Sequence, residues 1–99
     1  MYIIRFSKQA EKDKKLLRGA GLDLKAKSLL NIIAENPFQN PPSYEGLVGN
    51  LNGYYSRRIN IQHRLVYQVF HVPVVIDETE YQGTIKIVRM WSHYDAVRS

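Results

Sequence analysis

An α+β fold is the expectation for this 99-residue chain, with two N-terminal helices packed on one face of a mainly antiparallel sheet. Three observations carry it. Apolar residues recur at helical spacing in the first third of the chain, and strand-type patterning dominates after residue 53. The 37–53 stretch between them is dense in proline and glycine. Helices on one face leave the other face open, and an open sheet face can become a cleft.

Residues 1–6, rich in Ile, Tyr and Phe, read as a first strand. Ser7 suits an N-cap, and Glu11 follows in the first turn, where its charge favours the helix dipole. The first helix spans 8–18, with its lysines in solvent and Ala10, Leu16 and Leu17 left to pack; Gly19-Ala20-Gly21 breaks it. Leu22, Ala26, Leu29, Leu30 and Ile33 define a second amphipathic helix over 22–36, ended by Pro37. Pro37, Pro41, Pro42, Gly46, Gly49 and Gly53 mark 37–53 as ordered loop, and Glu45 lies within it.

Residues 54–60 and 63–70 read as two strands of a hairpin. An odd connecting loop places Arg58 and Arg64 on one side of the sheet, with Leu65, Tyr67 and Val69 under the helices; a two-residue loop separates the arginines. The segment 71–84, with Pro73 and the acidic run Asp77-Glu78-Thr79-Glu80, reads as an extended hairpin or exposed loop, and 85–91 as the last strand.

The length suits one domain over 1–99, with too little chain for a second core. A 44% hydrophobic content argues against disorder. The chain has no cysteine, which excludes disulfides and thiolate metal sites and fits a reducing cytosol. Arg5 interrupts the first apolar run too early for a signal peptide, so a cytoplasmic protein with no membrane association is expected. The formal net charge of +5 favours a polyanionic partner, whether nucleic acid or an acidic protein.

Glu45, Arg64 and His93 are the residues with the chemistry such a partner invites. RNA is cut when its own 2′-hydroxyl attacks the neighbouring phosphorus. Three services speed the reaction: taking the hydroxyl proton, neutralising the phosphoryl oxygens and protonating the departing 5′-oxygen. A carboxylate or histidine can serve as base and a histidine as acid. Arginine's planar fork suits the phosphate better than lysine does. Histidine, with an ordinary pKa of about 6.5, holds and releases protons near neutrality. Each residue also has a plainer reading: Glu45 as a solvated loop group, the arginines as solubilising charges, and His93 as an exposed residue near the C-terminus. His63 reads as a hairpin-stabilising residue and His71 as a loop residue. No histidine spacing suggests a metal site, and no cofactor is expected.

The run Leu51-x-Gly53-x-x-Ser56-Arg57-Arg58-Ile59, followed by His63-Arg64-Leu65-Val66-Tyr67, resembles the YoeB/Txe toxins of the RelE superfamily. Glu45 precedes it where that family keeps a catalytic carboxylate, and His93-Tyr94 matches the family's closing pair. The resemblance runs from Asn36 through Tyr94, and the N-terminal strand and helices match in pattern only. It implies a microbial-ribonuclease-like, RelE-type domain, with Glu45 as general base, Arg64 as phosphate stabiliser and His93 as general acid. Arg58 and Tyr94 would contact substrate. The implied activity is metal-independent cleavage of mRNA in the ribosomal A site, neutralised by a YefM/Axe-type antitoxin, and the resemblance leaves room for a homodimer. The chain departs from the pattern at Gly46, where proline is common, at Val48, where lysine is usual, in a longer 71–84 segment, and in residues 95–99 beyond the closing pair.

Two other functions fit the same residues. A ParE-like relative would poison DNA gyrase without nuclease chemistry; such proteins generally lack a Glu/Arg/His set. A basic RNA-binding module would stack bases on Tyr54, Tyr55, Tyr67 and Trp91.

Overall fold

The structure, a computed structural model, describes residues 1–91. Strand β1 (Tyr2–Phe6) leads into helices α1 (Lys8–Gly19) and α2 (Asp23–Glu35). A two-residue strand β2 (Glu45–Gly46) and a single 3₁₀ turn (Gly49–Leu51) follow. The remaining strands are β3 (Tyr54–Arg58), β4 (Arg64–Phe70), β5 (Val74–Ile76), β6 (Thr79–Tyr81) and β7 (Gly83–Arg89). The main sheet runs β1-β7-β4-β3-β2, and β5-β6 form a separate two-stranded hairpin. The α+β expectation holds, with helices on one face of a mostly antiparallel sheet. The exception is β1, which lies parallel to β7.

Ser7 caps α1 as its sequence position suggested. Its Oγ accepts from the Ala10 amide at 3.0 Å and donates to the Val88 carbonyl at 3.0 Å, tying the helix start to β7. Ala10 and Leu17 are buried, but Leu16 is 46% exposed, against the expectation that it packs. Asp13 takes the inward position instead, because it has partners waiting on the sheet. Its carboxylate receives Arg89 Nε and the Met90 amide, each at 2.9 Å. Helix α2 ends at Glu35, before Pro37, and buries Ala26, Leu29 and Ile33.

The main core lies between helices and sheet and includes Leu65, Tyr67, Ile85, Ile87 and Met90. On the opposite face Leu47 and Leu51 fold back over Val66, with Tyr54 and Val88 against them, making a second, smaller core. The 37–53 stretch is thus only partly loop. Its leucines anchor it to the sheet and let Glu45–Gly46 add an edge strand to β3. At the other end of the sheet β7 passes so close to β4 that a Cβ on Gly83 would collide with the Phe70 carbonyl.

Candidate active site

The β3–β4 connection is residues 59–63, an odd loop. The Asn60 side chain shapes it by accepting from the amides of Gln62 (2.9 Å) and His63 (2.7 Å). The register that results pairs Arg58 directly with Arg64, so both arginines lie on the open face, and Leu65 and Tyr67 go beneath the helices. On the other side of β3, Glu45 pairs with Ser56. Alternation along β3 puts Ser56 on the same face as Arg58. Three strands therefore deliver Glu45, Ser56, Arg58 and Arg64 to one cleft of about 210 Å³, completed by Ser43 and Tyr44.

Within it, Glu45 Oε2 lies 3.7 Å from Arg64 Nη2. That is an ion-pair contact, longer than a charge-assisted hydrogen bond of about 2.8 Å. The Glu45 side chain is 47% exposed and stays hydrated, whereas that of Arg64 is only 15% exposed. Ser56, fully buried, accepts from Arg64 Nε at 2.7 Å and fixes the plane of the guanidinium. The terminal nitrogens of Arg64 are left toward the cleft, beside an exposed Arg58. Two cations and a carboxylate at the rim of a shallow cleft can receive a phosphodiester and take a proton from a neighbouring hydroxyl.

His93 and Tyr94 lie outside the described residues. The chain that leads to them is anchored nearby: Trp91 stacks on His63, with ring centroids 4.0 Å apart. His63 precedes Arg64 and is buried, in keeping with a hairpin-stabilising role.

Arg57 departs from its expected place. Instead of solvating a sheet edge it is 1% exposed. It donates to the carbonyls of Pro42 (2.6 Å), Pro37 (3.0 Å) and Gln39 (2.8 Å), and to Tyr67 Oη (3.1 Å). Tyr67 in turn donates to the Pro37 carbonyl at 2.7 Å. This buried knot holds the start of the 37–53 segment, a few residues before Glu45. The Tyr67 hydroxyl is pushed above its ordinary value of 10.0 by burial, and Arg57 opposes that shift in part. The aromatic residues proposed to stack bases are also committed elsewhere. Tyr67 is core, Tyr55 packs with Phe38, Tyr44 and Tyr67, Trp91 covers His63, and Tyr54 joins the smaller core.

Ser56 and the Arg57–Tyr67 knot were missed in the sequence. A signal for Ser56 was present, because it lies two residues from Arg58 and so shares its face. Arg57 carried none that distinguished it from its neighbour, apart from the strand period that sends it to the other side.

A small α+β domain with helices on one sheet face and an arginine–carboxylate cleft on the other defines the class of protein. A family profile described as "YoeB-like toxin of bacterial type II toxin-antitoxin system" matches residues 6–94, which takes in both helices as well as the Asn36–Tyr94 stretch. Toxin YoeB of Synechocystis is 48% identical over 59 residues, which span 60% of this chain and 62% of that protein's length. The YoeB–YefM complex from Staphylococcus aureus contains a chain 37% identical in sequence. It superposes with a TM-score of 0.69 over 95% of this chain and 99% of that one. The YoeB dimer from the same organism is 36% identical, with a TM-score of 0.70 over 94% and 98% of the two chains. The chain belongs to the YoeB-like toxin family of bacterial type II toxin–antitoxin systems. Among the described residues, no helix is long and apolar enough to cross a membrane.

Proposed function

We propose that this toxin is a cytoplasmic, ribosome-dependent endoribonuclease that arrests translation by cutting mRNA in the A site. The observation that supports this reading most is the convergence of Glu45 and Arg64, 3.7 Å apart, in an open cleft beside Arg58. In the proposed reaction Glu45 takes the proton of a 2′-hydroxyl, whose oxygen attacks the adjacent phosphorus. Arg64, held by Ser56, and Arg58 neutralise the phosphoryl oxygens. The bond to the 5′-oxygen breaks, and that oxygen takes a proton from His93. The products are a 2′,3′-cyclic phosphate and a 5′-hydroxyl. The nucleophile belongs to the substrate itself, so the scheme calls for no metal or cofactor. His93 lies two residues beyond Trp91, a reach of roughly 7 Å in extended chain, and Trp91 is stacked beside the strand that carries Arg64. Tyr94 would position the substrate. The ribosome supplies the mRNA, and a YefM/Axe-type antitoxin, acidic and laid across the cleft, excludes it. Self-association as a homodimer accompanies this reading.

Primer extension on programmed ribosomes tests it. Glu45→Ala, Arg64→Ala and His93→Ala should each cut at least ~10²-fold more slowly than wild type. Undiminished cutting by the His93 variant removes that residue from the mechanism. Induction in cells that triggers DNA-damage signalling with translation intact would favour a gyrase poison instead.

A further inference from the structure

Beyond the cleft, the open face carries a second cluster of cations. Strand register places Gln68 opposite Lys86 and Lys86 opposite Arg5, giving one row across β4, β7 and β1. The next row holds Phe70, Thr84 and Ile3. Alternation puts both rows on the same face as Arg64, because Gln68 and Phe70 follow it at even spacing along β4.

Arg5 and Lys86 are both exposed, and among the described residues neither makes an ion pair. Like charges directly opposite in a ladder destabilise a sheet. A local conflict with no compensating carboxylate points to something outside the chain that the pair meets. Phe70, 45% exposed, stands one row away. Paired cations beside an exposed aromatic ring suit single-stranded nucleic acid, whose phosphates take the charge while a base stacks on the ring. An acidic peptide would use the cations and leave Phe70 idle.

We propose that Arg5, Lys86 and Phe70 form a second RNA-binding subsite on the open sheet face, separate from the Glu45–Arg64 cleft. Its choice of RNA rests on the nuclease reading. Lys86 lies one strand across and four residues along from Arg64, roughly 14 Å away, or about four stacked nucleotides at ~3.4 Å each. The subsite holds a stretch of backbone without reading its sequence.

The test is fluorescence anisotropy with a fluorescein-labelled single-stranded RNA over a salt series, in a Glu45→Gln background that keeps the RNA intact. Arg5→Ala/Lys86→Ala should weaken binding roughly tenfold and flatten the log–log salt slope by about 1.4, from two lost phosphate contacts. Phe70→Ala should weaken binding at an unchanged slope. Affinity and slope equal to the parent's would overturn the proposal. So would a labelled poly-glutamate peptide of matched charge that binds as tightly and loses as much, since that marks a surface for acidic protein. The thermal midpoint of the double variant should stay level or rise; a fall would assign the pair a structural role. Wild type that fails to cut ribosome-bound mRNA would sink the nuclease reading, while this binding measurement would still report on the subsite.

Discussion

Asp13 has no solvent contact at all, yet it sits in a helix studded with lysines. A buried carboxylate is tolerable only when its oxygens are satisfied. Here Gln9 Nε2, Arg89 Nε and the Met90 amide all donate to it within 3.0 Å. These contacts tie α1 to the end of β7, just before Trp91. Asp13→Ala would leave the arginine and a buried amide without their acceptor. Urea unfolding should show a loss of about 3 kcal/mol, a large share of the ~5–15 kcal/mol typical of a domain. Arg64 is the other side chain whose setting matters more than its type. Ser56 orients it and Glu45 stands near it, so its guanidinium is already fixed in the cleft by the protein's own side chains.

Among the elements, the 37–53 segment is held at two places: the Arg57–Tyr67 knot fixes residues 37–42, and the β2–β3 pairing with Leu47 and Leu51 fixes the rest. The knot has a pH signature. The folded Tyr67 keeps its proton above pH 10, where an unfolded tyrosine loses it, so the folded state binds more protons there and its stability falls as pH rises. This contribution is complete below pH 10 and is lost above it. Tyr67→Phe should be less stable at pH 7 by about 1 kcal/mol. Its denaturation midpoint should also fall less than that of wild type between pH 9 and pH 11. The elements differ in how far the sequence disclosed them. Both helices and the β3–β4 hairpin were legible, because each carries enough residues to show a period. The facing of Arg58 and Arg64 was legible once the loop parity was known, and Asn60 sets that parity. The strand of Glu45 was not, since two residues have no period. Asp13 was hidden by its neighbours, whose lysines signal solvent, and its partners on the sheet, Arg89 and Met90, lie more than seventy residues away along the chain.

For the molecule as a whole, charge and topology govern what can bind. With a net charge of +5 and both arginines on the open face, an acidic antitoxin segment and an RNA strand would compete for one surface. Replacing Arg58 and Arg64 together by alanine should weaken antitoxin binding, measured by calorimetry, as well as cleavage. Antitoxin affinity that survives intact would place the two ligands on different surfaces. The sheet order also held something that local patterns could not disclose: β1 pairs with β7, the most distant strand in sequence. Because β7 sits between β1 and β4, a nascent polypeptide cannot join its first strand to the rest until synthesis has passed residue 89. Such long-range closure is slow compared with local pairing. A ribosome making this toxin therefore carries an unfinished sheet through most of the message, and whatever harm the finished sheet does begins only after that last strand slots into place.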